Sequence, residues 1–142
     1  MNEAHLHATP ESGKAFYQNF AGRGKIVMLN LLKYRDTADY RATPDLDPGT
    51  ETSGREAYNT YLRAALPLIR GAAGTTRLLG AAGAFLIGPE AERWDAVLLV
   101  EYPSMEQFLS FAQSADYQKI AGHRTAALAD SRLLPVRELT AG

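Results

Sequence analysis

Two runs of the chain are apolar at nearly every position. The first, KIVMLNLLKYR from Lys25 to Arg35, sets Val27, Leu29 and Leu31 against Ile26, Met28, Asn30, Leu32 and Tyr34, so both faces of an extended segment are largely apolar. Rich in strand formers, it predicts a central strand. The second, WDAVLLVEYPS from Trp94 to Ser104, alternates Trp94, Ala96, Leu98, Val100 and Tyr102 with Asp95, Val97, Leu99 and Glu101 until Pro103 stops it. Its two faces are again both rich in large side chains.

Elsewhere the pattern is helical or broken. Thr9-Pro10 pairs a capping residue with a proline at the first helical position, which starts a helix ending near Gly22. Ser53-Gly54-Arg55-Glu56 has the spacing of a capping box and opens a second helix, with the inward stripe Tyr58, Leu62, Ala65 and Ile69 and an end at Gly71. Ser104-Met105-Glu106-Gln107 repeats that spacing for a short helix. Ser114 caps another, whose stripe is Tyr117, Ile120, Ala121, Arg124 and Leu128. Thr75 to Gly88 reads as a strand loosened by Gly80 and Gly83, and RLLPVREL after Asp130 as a last strand that Pro135 confines to a sheet edge. Residues 36 to 53 carry Pro44, Pro48 and Gly49, show neither period, and predict a long polar loop of the kind that is usually a functional lid or disordered.

With residues 1 to 24 set aside as an N-terminal helical extension, the order is strand, helix, strand, strand, helix, strand. This βαββαβ order predicts an α+β domain of ferredoxin-like type, an antiparallel sheet with its helices on one face. A sheet covered on one side only leaves the second apolar face of both central strands in water. A twofold homodimer, sheet against sheet, is the predicted remedy.

Composition narrows the function classes. At 142 residues with 46% hydrophobic and 22% charged content, the chain fits one domain with its own core. A net charge of −1 from 15 basic and 16 acidic residues leaves no basic stripe, so no nucleic-acid partner is expected. The lack of cysteine excludes disulfides, thiolate metal sites and thiol nucleophiles. The start, MNEAHLHATPESGK, has no basic segment followed by an apolar one, and no run reaches the roughly 18 apolar residues of a membrane span. A cytoplasmic protein without membrane contact is the expectation.

The segments IVMLNLLKYR, SGREAYNTYL, WDAVLLVEYPS and DYQKIAGHRTAALADSRLL, in this order and spacing, resemble the bacterial family catalogued as domain of unknown function 1330. The resemblance runs from about Phe20 to the end of the last strand and includes the polar insertion before the second helix. It implies a ferredoxin-like fold that pairs into a dimeric α+β barrel, and it implies no established activity. Families of similar fold include monooxygenases working without metal or flavin, muconolactone isomerase-like enzymes and haem-binding proteins. Those chemistries reach this chain only as analogy.

Asn30 is the one strongly polar residue inside the first apolar strand, where an unpartnered amide costs on the order of 1–3 kcal/mol. It either bonds backbone or the dimer seam, or orients a ligand in a cleft. Lys33 and Arg35 follow at the strand's end, as surface charges or at a cleft's mouth. Arg124 shares a stripe with Tyr117, Ile120 and Leu128, so its guanidinium is directed toward the sheet. There it pairs with Asp95, Glu101 or Asp130, or holds a substrate carboxylate. His123 beside it is the obvious base outside the amino-terminal tail, and Asp95 is the alternative proton-transfer group. Tyr58, Tyr61, Trp94, Tyr102 and Tyr117 either fill the core or ring a cavity suited to a flat organic ligand. His5 and His7 form an H-x-H pair in a segment expected to be mobile, and no metal is assigned to them. No nucleotide, zinc-protease or serine-hydrolase motif is present, and no cofactor is expected. A small cofactor-independent enzyme acting on an aromatic or carboxylated metabolite stands beside a non-catalytic binding or structural homodimer. A pocket lined by Asn30 together with Arg124, Asp95 or His123 would favour the first.

Overall fold

Each helix begins where a hydroxyl meets free backbone amides. The computed structural model describes residues 3–140. Thr9 accepts from the Ser12 amide at 3.0 Å and opens α1, Pro10–Phe20. Ser53 accepts from the Glu56 amide at 3.1 Å and opens α2, Gly54–Gly71. There the second half of the box differs from its usual form, since the Glu56 carboxylate accepts from the Ser53 hydroxyl at 3.1 Å. Ser104 and Ser114 accept from Gln107 and Tyr117 amides, each at 3.1 Å, and open α3, Met105–Ala112, and α4, Ala115–Ala127.

Four strands form one antiparallel sheet: β1, Ile26–Tyr34; β2, Thr75–Ala81; β3, Ala96–Tyr102; and β4, Leu128–Val136, in the order β2-β3-β1-β4. Both apolar runs are central, as their two-faced patterns require. Pro135 lies on the edge strand β4, where a missing N–H interrupts no further ladder. The fold is the βαββαβ arrangement, its second helix broken into α3 and α4 and α1 added in front.

Three boundaries differ from the sequence pattern. β2 stops at Ala81, well short of Gly88, because β3 starts only at Ala96 and the Ala82 amide closes the ladder on the Asp95 carbonyl at 2.9 Å. The stretch beyond it leaves Leu86 and Ile87 almost wholly exposed. Trp94 precedes β3 and lies outside the core cluster. β4 begins at Leu128, which turns from the end of α4 straight into extended backbone.

The sheet has two unlike faces. Met28, Leu32, Leu98, Val100 and Tyr102 point inward and join Tyr58, Leu62, Ala65 and Ile69 of α2 in the core. On the outer face the register sets Leu29 beside Leu99 and Leu134, Leu31 beside Val97, and Leu78 beside Leu99. These aliphatics remain partly or largely in water, Leu78 at 49% and Leu134 at 55% exposure.

The polar segment 36 to 53 is packed. Its Ala38 amide donates to the Thr52 carbonyl at 2.8 Å and its Asp39 amide to the Ala126 carbonyl at 2.9 Å, Tyr40 is buried, and Pro44–Leu46 makes one 3-10 turn. It covers the side of α2 and α4 remote from the sheet.

Candidate functional site

Between the inner face of the sheet and the helices lies an open cavity of about 870 Å³. Met28, Asn30, Leu98 and Val100 form its floor because alternation points them inward, and Tyr58, Tyr61 and Leu62 of α2 form one wall. The amino-terminal segment closes another side with Leu6, Phe16 and Phe20.

Aromatic rings follow one another along the cavity without a break. Phe20 is 5.6 Å from Phe16, Phe16 is 5.8 Å from Phe108, and Phe108 is 6.4 Å from Phe111, centroid to centroid. From there Phe111 is 4.6 Å from Tyr117, Tyr117 is 6.1 Å from Tyr61, and Tyr61 is 5.3 Å from Tyr58. The series starts as phenylalanine and ends as tyrosine. Edge-on and tilted contacts of this kind hold rings in place beyond what buried area alone provides.

Polar groups gather at the tyrosine end. The Tyr61 and Tyr117 hydroxyls share a hydrogen bond of 2.9 Å. Burial pushes the Tyr58 and Tyr61 hydroxyls far above the ordinary tyrosine value, and the Arg124 charge opposes that rise at both. Burial also raises Tyr102. These phenols therefore stay neutral and can donate. Arg124 Nη1 donates to the Leu6 carbonyl at 3.3 Å. Arg124 makes no ion pair among the described residues. Asn30, flanked by Leu98 and Leu133, donates through Nδ2 to the Leu98 carbonyl at 3.2 Å and the Met28 carbonyl at 3.5 Å, so its amide bonds backbone while it lines the cavity.

The structure thus brings Asn30, Arg124, Tyr58 and Tyr102 to one cavity and places the other candidates elsewhere. Lys33 is exposed, just before an irregularity in the pairing of β1 with β4, and does not line the cavity. Asp95 accepts from the Tyr34 amide at 2.8 Å and so secures the end of β1. Trp94 donates through Nε1 to Glu92 at 2.8 Å and lies under the Arg132 guanidinium, 5.0 Å from the ring centroid. His123 faces a separate cleft of about 350 Å³, formed with Glu56, Asn59 and Arg63 on the opposite side of α2. There its Nδ1 is 2.8 Å from the Tyr40 hydroxyl, and burial lowers its pKa.

The amino-terminal wall is the part that sequence reasoning missed. Phe16 and Phe20, four residues apart on α1, carried a helical signal for it. The preceding arm carried none. The His5 amide donates to Asp130 Oδ1 at 2.8 Å and the Ser131 hydroxyl to the His5 carbonyl at 2.6 Å, contacts between opposite ends of the chain. Burial alone would raise the Asp130 carboxyl, but the His5 and Ser131 amides and the Arg132 guanidinium together hold it below the usual value. His5 and His7 consequently stand at the cavity. Among the described residues no cluster of metal-ligating side chains occurs, and no helix is long and apolar enough to cross a membrane.

Comparison with known proteins gives relatives without assigned activity. The RPA0582 protein of unknown function from Rhodopseudomonas palustris is 34% identical, with 98% of this chain and 100% of that chain covered and a TM-score of 0.85. A dimeric protein of unknown function with a ferredoxin-like fold from Bacteroides fragilis is 15% identical over 84% of this chain and 99% of that chain, with a TM-score of 0.50. A dabb family protein with a ferredoxin-like fold from Mesorhizobium loti is 10% identical over 83% of this chain and 100% of that chain, with a TM-score of 0.51. The last two show the fold alone. No protein of curated function matches. Residues 50–138 match the model of the family described as domain of unknown function (DUF1330), and the chain belongs to that family.

Proposed function

We propose that this protein is a small-molecule-binding homodimer that takes a flat organic metabolite between the sheet and helices of each protomer. One observation carries the reading: the cavity is lined by a continuous aromatic series and is entered by Asn30 and an Arg124 without a carboxylate. Ligand sites of roughly 300–1,000 Å³, mostly apolar with a few converging polar groups, have this character. A scaffold would instead have Arg124 paired as fully as Asn30 is by backbone, in a dry core.

Asn30 and Arg124 in one pocket meet the condition set for a ligand cleft, but neither proposed proton-transfer group is there, so binding is favoured over catalysis. His123 faces the other cleft, and Asp95 is engaged with the end of β1. A cofactor-independent reaction of monooxygenase or isomerase type at this site would draw its base from His5 or His7 of the arm. The dimer rests on the outer sheet face, where full burial of each leucine is worth about 2 kcal/mol. The dimeric description of the Bacteroides fragilis neighbour supports it.

Titration with 2-naphthol, a neutral flat probe, followed by saturation-transfer NMR tests the site. One probe per protomer should bind, and Leu133→Trp, which fills the cavity from the edge strand, should abolish binding without lowering Tm. Equal binding by that variant would overturn the reading.

A further inference from the structure

The cavity is asymmetric in charge as well as in polarity. Among the described residues no aspartate or glutamate lines it, although the chain has 16 acidic residues, while two arginines do. Those arginines are not equivalent. Arg132 is neutralised by Asp130 at 2.8 Å, whereas Arg124 has only the Leu6 carbonyl at 3.3 Å. A guanidinium offers five donors in a planar fork, and a half-buried one with a single carbonyl partner leaves most of that capacity unused.

From this we infer that the natural occupant is an amphipathic monoanion, with a carboxylate or similar singly charged head at Arg124 and a broad apolar body lying among Phe16, Phe20, Phe108 and Phe111. The inference rests on the cavity being the ligand site and names the class of ligand. The phenols suit the head: Tyr58, Tyr61 and Tyr117 lie near Arg124 and, at Tyr58 and Tyr61, remain protonated, so they can donate to an anion without adding like charge. A neutral ligand would leave the guanidinium uncompensated in a partly dry site, and a dianion would exceed the one arginine charge at the cavity without a carboxylate among the described residues. The phenylalanine end offers Asn19 and Gln113 but, among the described residues, no charged side chain to a second charged group. Because the Leu6 carbonyl occupies part of the fork, the head also meets the amino-terminal arm. Specificity for the anion is thereby joined to the segment that walls the cavity.

Calorimetry on the full chain at pH 8 compares naphthalene-2-carboxylate with 2-naphthamide, and decanoate with decanamide. At least one carboxylate should bind more than about tenfold tighter than its amide, the scale of one charge-assisted bidentate contact. Arg124→Gln should reduce that preference to within about twofold, and Arg124→Lys should retain part of it. Equal binding of acid and amide by the wild-type protein would overturn the monoanion while leaving the cavity reading intact. So would a preference that survives Arg124→Gln. No binding of either pair at millimolar concentration would overturn the cavity reading itself. The wild-type ratio decides the matter even if the Arg124 variants fail to fold.

Discussion

The missing side chain at Gly54 lets α2 start directly against the end of β1. Its amide donates to the Arg35 carbonyl at 3.0 Å, and the Arg35 amide in turn donates to the Ala127 carbonyl at 2.8 Å. A Cβ there would overlap the Arg35 carbonyl and come within 2.6 Å of the Ala127 carbonyl. Helix propensity favours alanine by about 1 kcal/mol, while overlap with two fixed backbone oxygens costs about 3 kcal/mol. Packing wins: Gly54→Ala should destabilise by about 2 kcal/mol in urea unfolding, and an unchanged midpoint would contradict this account. The sequence shows Gly54 only as one letter of a capping box. Asn30 and Arg124 were legible because each interrupts an apolar stripe. That Arg124 lacks a carboxylate was not legible, since Asp95, Glu101 and Asp130 all lie within topological reach. Each is taken by another partner: Asp95 by the Tyr34 amide, Glu101 by Arg77 at 3.4 Å, and Asp130 by Arg132 and the arm.

Among the elements, helix starts were the most legible, because a cap is a local hydrogen bond between neighbours in sequence. Strand ends were less so. Thr75 to Gly88 has strand-like residues throughout, but the length of β2 is set by where β3 begins, which is a property of another segment. The 36 to 53 segment has no period to reveal its packing; it is held by Tyr40 against His123 and by Thr43 and Leu46 against Gly122, where a Cβ would meet Thr43 at 2.6 Å. This junction carries a pH dependence. Burial lowers the His123 pKa in the folded protein, so as pH falls through about 6.5 the unfolded chain takes up the proton first and stability falls. The contribution is complete above that pH. Thermal melts from pH 8 to 5 should therefore decline less steeply for His123→Gln than for the wild type. Parallel profiles would show that the imidazole titrates alike in both states.

At the scale of the whole molecule, the two faces of the sheet divide the work. The inner face holds the cavity, and the outer face, with Leu29, Leu31, Val97 and Leu99 at its centre, is the surface proposed to pair. Leu99→Glu places a charge in the middle of that surface while leaving the inner core untouched. Sedimentation should show dimer for the wild type and monomer for the variant, and a variant that stays dimeric would remove the outer face from the interface. The chain's single tryptophan falls on one side of this division. Trp94 does not itself line the cavity, but it is buried and stacks on Arg132, which does. Tyr58, Tyr61, Tyr102 and Tyr117 line the cavity directly. Intrinsic fluorescence therefore reads the cavity from two places: tyrosine emission follows the filling of its aromatic wall, and tryptophan emission follows the Arg132 guanidinium at its edge.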